Sequence, residues 1–569
     1  MKTTIQLLFS FWLILFSVNS NAQTWNWASK IGSLTASDEA RDITADNQGN
    51  VYVTGIFSGT IETPVDTIVS FGNEDSFFAK YDSTGTLIWL RSAGGPSDYD
   101  IGEAVAVDAN GNAYFTGYFR NTATFDNITV SSSPGQNAIY TVKYNANGVV
   151  QWVRTGVNTN NSPFFDFDKA HDIAVDTNGD VYIVGQKSAV TTFGSIIVPN
   201  PNINSIGSYF VKYDTNGNEQ FGIAINPASA NYLPARVKVA NNTVYILYHD
   251  FSVNFSSPGL RVARYNLSGT FLGVQPIFNV GGNFQEPDEF DMAVDNNGNI
   301  TLYGEFQGNI TVGGVSIQST TPSTKDVFVV QQNAAGSFQW LKQFGGGGLD
   351  GEGGIAVDTA NNIYIAGFFN NSISIDSTVL QAPGQDIFIA KLSPSGALEW
   401  ARSGGSGNTV SNSIFVNTQG DIFTAGRFNG TAVFDSSTIS SNGSNDIFAA
   451  KLGCEPRPVS EVLGDTLVCL GTSIYNATAS SVGNNFIWTI SGGGTLTNNG
   501  KFVDINWTTE GNYAVTVVQI NECGAGEAFT FNVTVKDIPV LPIINGDNTD
   551  CLGSATYNVT NNFSSDTYN

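Results

Sequence analysis

Cysteine is absent from the first 453 residues of this 569-residue chain, and all four cysteines, Cys454, Cys469, Cys523 and Cys551, lie beyond that point. This abrupt change in composition marks a domain boundary, and we place a linker over residues 454–460. The whole chain holds two histidines and two methionines. Chemistry that depends on histidine, such as general acid–base catalysis, therefore has little to draw on.

Positive charge is also scarce. The chain has 24 lysines and arginines against 49 aspartates and glutamates, a formal net charge of −25. Such a surface repels nucleic acid and anionic lipid, which bind to clustered positive charge, and favours cations. Only 13% of the residues are charged. The polar surface is mostly Asn, Ser, Thr and Gly, as expected of an extracellular β-protein that works as a monomer.

Long apolar runs are missing except at the N-terminus, where Ile5 to Val18 follow a positive Lys2. Ser20 and Ala22 are small residues at positions −3 and −1 of a cleavage site. Residues 1–22 therefore read as a secretory signal peptide, too short to anchor the chain in a membrane. The mature chain is expected to be secreted, or held at the cell surface, without a transmembrane segment.

A ten-residue motif recurs about every 60 residues along the first 453 positions. One copy is DANGNAYFTG, which ends at Gly117, and another is DTANNIYIAG, which ends at Gly367. Internal repetition at a fixed period is typical of propellers and solenoids. The seven copies end at Gly55, Gly117, Gly185, Tyr248, Gly304, Gly367 and Gly426, and the one at Tyr248 is degenerate.

Each repeat predicts an antiparallel four-stranded meander. In the second repeat the strands are expected over 103–108, 113–119, 140–145 and 149–156, with a linker of roughly twenty residues between the second and third. Turns that begin with Asp or Asn and carry Gly at the third position are typical of hairpins. Both faces of strands such as IYIAGFF are apolar, so each sheet must be covered on both sides. Stacking sheets around an axis achieves this and predicts a β-propeller.

Fourth strands carry a tryptophan at one position, as in Trp89, Trp152, Trp340 and Trp400. Recurrence at a single position favours packing between blades over a sugar-stacking surface. The last repeat has no fourth strand, but WNWASKIG (Trp25 to Gly32) matches LEWARSGG at the other end of the chain. We therefore expect a seven-bladed propeller over 23–453, closed by the N-terminal strand.

The segments DSFFAKYDSTGTLIW (Asp75 to Trp89) and DIFIAKLSPSGALEW (Asp386 to Trp400) resemble the seven-bladed beta-propeller (SBBP) repeats of bacterial secreted proteins. The resemblance covers residues 23 to about 453. It implies the fold and carries no catalytic signature.

The tail repeats internally, since GDTLVCLGTSIYNAT from Gly464 recurs 82 residues later as GDNTDCLGSATYNVT from Gly546. Short alternating strands over 461–537 predict an Ig-like sandwich. The motif order resembles the PKD-like domains found in tandem in surface and secreted proteins of Bacteroidetes-type bacteria. Residues 538–569 are expected to be the truncated start of a second PKD-like domain.

In this tail Cys469 and Cys523 are the expected disulfide. Cys551 is the equivalent of Cys469 in the second copy, and Cys454 has no equivalent.

No signature of a catalytic nucleophile or metal centre is present, and we predict no catalytic residue. His171 and His249 are interpreted as structural. Five of the seven loops between the fourth strand of one blade and the first strand of the next are acidic, and in a propeller they surround one mouth of the channel. This rim would either attract Ca²⁺ or a cationic ligand, or serve as a solvated acidic surface. The rim candidates are Asp98, Asp100, Glu103, Asp166, Asp168, Glu286, Asp288, Asp350 and Glu352.

These features favour a secreted or cell-surface binding protein without catalytic activity. Its propeller would recognise a polysaccharide or a matrix or cell-surface protein, and its Ig-like domains would act as spacers. Two alternatives stay open: a polysaccharide-active enzyme (glycosidase or lyase) and a purely structural surface scaffold. Fold alone does not choose among them.

Overall fold

The structure is a computed structural model. It describes residues 23–34, 36–96, 99–158, 168–188, 190–200, 206–225, 232–250, 259–279, 290–453, 459, 461–478, 485–521, 524–525, 528–537, 543–545 and 558–560. All regular elements in these ranges are β-strands. The predicted signal peptide, residues 1–22, lies outside them. The chain divides into two compact units, Gln23–Gly453 and a C-terminal unit that begins at Cys454.

The first unit opens with β1 (Thr24–Ile31), and the strands that follow group into the seven sequence repeats, called repeats 1 to 7 below. Repeat 1 contains β2 (Glu39–Ala45), β3 (Val51–Phe57), β4 (Thr60–Glu62), β5 (Thr67–Val69), β6 (Asp75–Tyr81) and β7 (Leu87–Gly94). Repeat 2 contains β8 (Ile101–Val107), β9 (Ala113–Arg120), β10 (Thr122–Phe125), β11 (Ile128–Ser131), β12 (Asn137–Tyr144) and β13 (Val150–Asn158). Repeat 3 contains β14 (Lys169–Val175), β15 (Val181–Lys187), β16 (Thr191–Phe193), β17 (Ile196–Val198), β18 (Gly207–Tyr213) and β19 (Glu219–Ile223).

The remaining repeats follow the same plan. Repeat 4 contains β20 (Tyr232–Ala240), β21 (Thr243–Asp250), β22 (Gly259–Asn266) and β23 (Phe271–Asn279). Repeat 5 contains β24 (Phe290–Val294), β25 (Ile300–Phe306), β26 (Asn309–Val312), β27 (Val315–Gln318), β28 (Asp326–Gln332) and β29 (Phe338–Gly345). Repeat 6 contains β30 (Gly351–Val357), β31 (Ile363–Ile375), β32 (Thr378–Leu392) and β33 (Leu398–Gly404). Repeat 7 contains β34 (Thr409–Val416), β35 (Ile422–Phe428), β36 (Thr431–Phe434), β37 (Ser437–Ser440) and β38 (Asp446–Gly453).

The long strands of each repeat form an antiparallel meander, for example β8-β9-β12-β13. The sheet of repeat 7 has the order β34-β35-β38-β1, so its outer strand comes from the other end of the unit. The pairing between β1 and β38 runs from Thr24 opposite Gly453 to Ile31 opposite Ile447, with a bulge between Trp25 and Trp27.

The linkers between the second and third strands contain short hairpins, which the sequence patterns do not predict. The hairpin β10–β11 of repeat 2 adds to the outer strand of repeat 1, with Thr124 opposite Gly94. The hairpin of repeat 3 adds to repeat 2 in the same way, with Phe193 opposite Gly156. These strands are three or four residues long, too short for an alternating pattern to stand out. Each of these two hairpins extends the sheet of the preceding repeat by pairing with its outer strand.

The cores lie between adjacent sheets, as the apolar faces on both sides of the strands predict. All seven residues of β3 and of β6 are buried. One cluster joins repeats 7 and 1 and includes Phe77, Phe423 and the indole of Trp27. Each sheet therefore gains its stability from its neighbours more than from its own residues.

The recurring turn motif is explained by packing. In DANGN the carboxylate of Asp108 accepts hydrogen bonds from the backbone N–H groups of Asn110 and Asn112, both at 2.9 Å. It also accepts the hydroxyl hydrogen of Tyr114 at 3.1 Å. Gly111 takes a positive φ of 76°, which glycine adopts without strain. These turns are Asx-capped hairpins. The motif therefore recurs because each hairpin needs the same turn structure.

The C-terminal unit is also built of strands. Its strands are β39 (Glu461–Leu463), β40 (Leu467–Cys469), β41 (Gly471–Thr478), β42 (Asn485–Ile490), β43 (Gly494–Asn499), β44 (Phe502–Trp507), β45 (Gly511–Asn521), β46 (Gly524–Ala525), β47 (Phe529–Lys536), β48 (Ile543–Asn545) and β49 (Asn558–Thr560). One sheet has the order β39-β41-β44-β43 and the other β40-β47-β45-β42. Both contribute to a single core around Trp488 and Trp507, as in a β-sandwich.

Of the four cysteines, the structure describes Cys469, which is exposed. Cys454, Cys523 and Cys551 lie outside the described residues, so the disulfide between Cys469 and Cys523 stays a prediction. Within the expected start of a second PKD-like domain, β48 pairs with β49. A search of the described residues finds no helix long and apolar enough to cross a membrane.

Candidate functional site

The first strands of the seven repeats surround a cavity of about 800 Å³. Neighbouring first strands pack side by side in the order β2, β8, β14, β20, β24, β30 and β34, and β34 packs against β2. Residues of all seven repeats line the cavity. We call this cavity the channel.

One register position on each first strand defines a ring of residues, six of which line the channel. Its members pair with the residue just before the end of the repeated motif; for example, Asp42 lies opposite Thr54. We call this set the channel ring. Its members are Asp42, Ala104, Asp172, Arg236, Asp291, Gly354 and Ser413.

The three aspartates of the channel ring each join two repeats. Asp42 accepts hydrogen bonds from the N–H of Ile43 at 2.9 Å and from that of Val105, in the next repeat, at 2.8 Å. Asp172 accepts from the N–H of Val237 in the next repeat at 2.7 Å.

Asp291 makes the same contact with the N–H of Ile355 at 2.9 Å. Repeats 1, 3 and 5 thus hold their neighbours through fixed carboxylates.

Repeat 4 supplies two cations to this surface. The Nε of Arg236 lies 3.1 Å from Oδ1 of Asp291. The Nζ of Lys238 lies 3.6 Å from Oδ2 of Asp172, and 38% of the Lys238 side chain is exposed. Desolvation in the channel opposes the charge of Lys238, but the carboxylates of Asp172, Asp291 and Asp42 outweigh it and raise the pKa of this lysine. Lys238 is therefore a protonated ammonium at neutral pH.

Asp42 differs from the other ring carboxylates in its surroundings. Burial, together with the negative charge of Asp172, raises the pKa of Asp42 to about 6. The hydroxyl of Ser413 donates to Oδ1 of Asp42 at 2.7 Å. Two carboxylates therefore interact across the channel, and one of them is poised to take up a proton near neutral pH.

At the mouth of the channel the charged groups are paired. Arg427 of repeat 7 lies 2.6 Å from the carboxylate of Glu39 and 3.1 Å from that of Glu352. The Nζ of Lys325 lies 2.9 Å from the carboxylate of Glu305. The described part of the mouth thus carries cations beside its carboxylates.

Three of the predicted rim residues hold the loops in place. Asp100 is 1% exposed and accepts hydrogen bonds from the N–H groups of Gly95 at 2.7 Å and Arg120 at 2.9 Å. Asp350 accepts from the N–H of Gly346 at 2.6 Å, and Asp168 accepts from that of Ser188 at 2.7 Å. The acidic residues recur because each such loop needs a buried acceptor for its backbone N–H groups.

Burial raises the pKa of two of these carboxyl groups. Desolvation raises the pKa of Asp100 and that of Asp350 to about 7. Both carboxyl groups therefore titrate close to neutral pH.

Of the other rim candidates, Glu103 and Glu352 line the channel. Asp98, Asp166, Glu286 and Asp288 lie outside the described residues. Within the described ranges, no three side chains of His, Cys, Asp or Glu are grouped so that they could hold a metal ion. A Ca²⁺ site at the rim stays a prediction. His171 lines the channel, and His249 is buried with its ring 5.0 Å from that of Phe290.

Sequence reasoning missed Arg236 and Lys238. Their signal was present, because repeat 4 reads RVKV where repeat 1 reads DITA and repeat 3 reads DIAV. At these two positions of the first strand the other repeats carry no cation. The degenerate motif of repeat 4 hides this difference, because the copy departs from the others at many positions.

A set of stacked four-stranded sheets around a channel, followed by a sandwich, defines an all-β protein of the β-propeller type. The comparisons with known families agree. The family described as "Beta-propeller repeat" (SBBP) matches residues 26–55, and that described as "PKD-like domain" matches residues 455–533. The chain therefore carries an SBBP propeller repeat near its N-terminus and a PKD-like domain near its C-terminus, and both were predicted from the sequence.

A relative is the uncharacterized WD repeat-containing protein L264 of Acanthamoeba polyphaga mimivirus. It is 23% identical over 481 residues, which cover 71% of this chain and 31% of the relative. This chain thus spans about a third of the length of the relative that it matches.

Among solved structures, the chain is similar to the intramolecular trans-sialidase from Ruminococcus gnavus, with 9% identity and a TM-score of 0.34. That match covers 76% of this chain and 96% of the other. NanB sialidase from Streptococcus pneumoniae matches with 11% identity and a TM-score of 0.33, covering 78% and 71%. Scores this low say nothing about activity or ligand.

Proposed function

We propose that this protein is an extracellular, non-enzymatic binding protein. In this proposal repeats 1 to 7 are the blades of a seven-bladed propeller, which β1 closes as the outer strand of repeat 7. The pairing of β1 with β38 and the packing of β34 against β2 support closure. The propeller presents the channel mouth as its recognition site, and the PKD-like domain acts as a spacer.

The observation that carries the proposal is the variety of the channel ring. Positions that pack one sheet on the next repeat from copy to copy, as Tyr52, Tyr114 and Tyr182 do. The channel ring instead holds aspartate, alanine, arginine, glycine and serine at one register position. Packing alone would allow the same residue in each repeat, so the differences point to recognition of an asymmetric ligand.

Composition and domain type support a location outside the cell. The predicted signal peptide, the low content of lysine and arginine, and a PKD-like domain fit a secreted or surface protein. We propose a polysaccharide or a matrix protein as the partner, since the channel mouth offers both charges and hydrogen-bonding groups.

The test is binding of the purified chain to an array of polysaccharides and matrix proteins, with Ca²⁺ and with chelator. Charge reversal at the mouth, Glu352→Lys, is compared with Glu62→Lys on the exposed outer hairpin of repeat 1. We expect the first variant to weaken binding and the second to leave it unchanged. Loss of binding with chelator would assign a metal to the mouth. The absence of any bound partner would contradict the proposal.

A second candidate, a glycosidase, is favoured by the pair Asp42 and Asp172. Glycoside hydrolysis uses two carboxyl groups with different pKa values, one as acid and one as base or nucleophile. Asp42, with its pKa raised to about 6, has the character of the acid. Release of reducing sugar from a polysaccharide bound on the array, abolished in Asp42→Asn and Asp172→Asn, would establish this activity over binding alone.

A further inference from the structure

The ammonium group of Lys238 projects into the channel with its hydrogen-bonding capacity unused. Its contact with Asp172, at 3.6 Å, is an ion pair longer than a hydrogen bond. Among the described residues its Nζ donates no hydrogen bond. A lysine ammonium has three N–H donors, and in a partly enclosed channel these donors favour a ligand that accepts hydrogen bonds.

The neighbouring carboxylates supply the complementary acceptors. Asp42 and Asp172 are fixed by backbone N–H groups of the next repeat at 2.8 and 2.7 Å. Each carboxylate has about four lone-pair sites, so both keep capacity for a donor from a ligand. A rigid arrangement of this kind costs little entropy when a ligand binds.

The channel also offers space and apolar contact beside these charged groups. Ala104, which lies between Asp42 and Asp172 in the ring order, has a small side chain, and Phe415 also lines the channel. The volume of about 800 Å³ falls within the usual range of small-molecule sites. A ligand in the channel would therefore meet both charged groups and apolar surface.

Charge narrows the class of ligand. Asp42, Asp172 and Asp291 face Arg236 and Lys238, so this part of the channel has a small negative excess. An anion would be repelled by the three carboxylates, and a simple cation would be repelled by the ammonium of Lys238. A neutral group that both donates and accepts hydrogen bonds avoids both conflicts. Vicinal hydroxyl groups of a sugar have this property.

We propose that Lys238, Asp172 and Asp42 form a subsite for a neutral sugar unit. One hydroxyl oxygen accepts from Lys238, while hydroxyl hydrogens are donated to Asp172 and Asp42. This inference rests on the proposed binding function and names its ligand class. It also explains why the repeat that departs most from the others provides the lysine.

Two sets of free sugars serve as probes: glucose, galactose and mannose, and the charged glucuronate and galacturonate. Binding to the full chain is measured by saturation-transfer NMR and calorimetry. The test variant is Lys238→Met. The control is Lys342→Met, which removes a lysine paired with Asp376 at 2.8 Å. We expect a neutral sugar to bind and Lys238→Met to weaken it about tenfold or more, as for loss of a hydrogen bond from a charged group. Lys342→Met should leave the affinity unchanged.

Acylation of lysines on the unmodified protein gives a measurement that needs no variant. A bound sugar should slow the reaction of Lys238 with an N-hydroxysuccinimide ester and leave that of Lys342 unchanged. Binding of charged sugars alone, or equal affinity in Lys238→Met, would overturn the subsite. If polymers bind on the array while Lys238→Met has no effect, the binding function stands and this subsite fails. If no partner and no sugar binds, both fail.

Discussion

The indole Nε1–H of Trp27 donates a hydrogen bond to the carbonyl oxygen of Ser83 at 3.1 Å, across 56 positions of sequence. The same contact joins Trp152 of repeat 2 to Thr215 of repeat 3 at 3.3 Å. Trp27 on β1 therefore makes the same contact with repeat 1 that Trp152 of repeat 2 makes with repeat 3. This equivalence makes the N-terminal strand part of the repeat pattern and allows ring closure to be tested by stability.

Replacing Trp27 by alanine should lower the free energy of unfolding by about 3–5 kcal/mol, the usual cost of truncating a buried aromatic side chain. Trp27 is 8% exposed, and it packs between repeats 7 and 1. Urea denaturation followed by fluorescence measures the change. The control is Phe71→Ala, at a residue 69% exposed, which should change the stability by no more than about 0.5 kcal/mol. An unchanged unfolding midpoint for Trp27→Ala would mean that β1 does not close the ring.

Gly85 is expected to be less tolerant of alanine than Gly420, although both have a positive φ of 82–83°. A Cβ atom at Gly85 would lie 2.5 Å from the indole of Trp27, whereas one at Gly420 meets nothing within 4 Å. Both substitutions pay the backbone cost of about 1 kcal/mol. Gly85→Ala should cost about 1–3 kcal/mol more, because the indole must move. Equal losses in thermal unfolding would show that the indole packs elsewhere.

The strand framework could be predicted because it follows from period-two patterns and Asx-Gly turns, which act locally. The strands expected over 103–108 and 113–119 occur at Ile101–Val107 and Ala113–Arg120. The short hairpins in the linkers could not be predicted in this way, because their pairing depends on a strand of a neighbouring repeat.

The site was harder to predict for a related reason. The sequence displays that Asp100 and Asp350 recur, but it does not display that their carboxylates accept hydrogen bonds from backbone N–H groups of their own loops and of the second strands. Lys238 lies in a degenerate repeat, and its importance depends on Asp42 and Asp172, which are distant in sequence. Convergence of side chains from different repeats depends on how the repeats pack together and is invisible within one repeat.

The protein should become less stable as the pH rises from about 4.5 to 7.5. Burial raises the pKa of Asp100, Asp350 and Asp386 to about 7, from an ordinary value of 3.8. Between these values the folded state binds more protons than the unfolded state, so the stability is highest at the acid end of the window and falls as the pH passes through the folded pKa. Melting temperatures measured across this range should decrease with pH.

Replacing Asp100 by asparagine provides the control for this pH effect. The amide keeps one acceptor oxygen, for the N–H of either Gly95 or Arg120, loses the other acceptor and cannot ionise, so the variant is compared by its pH dependence and not by its absolute stability. The variant should therefore show a smaller decrease in melting temperature between pH 5 and pH 7.5 than the unmodified protein. A melting temperature that rises with pH in both proteins would show that other ionisable groups dominate.

Arg427 should be worth more than an ordinary surface cation, because it holds Glu39 of repeat 1 and Glu352 of repeat 6 at once. Arg427→Met leaves two carboxylates near each other without a counter-ion. Allowing for their partial exposure, we expect a loss of about 1–2 kcal/mol in the free energy of unfolding. Lys342→Met, which removes a single exposed ion pair, should cost less than about 1 kcal/mol. Urea denaturation of Arg427→Met with and without Glu352→Gln separates the two contacts. Removal of the second carboxylate should recover part of the loss, and a failure to recover any would place the main contribution of Arg427 on Glu39.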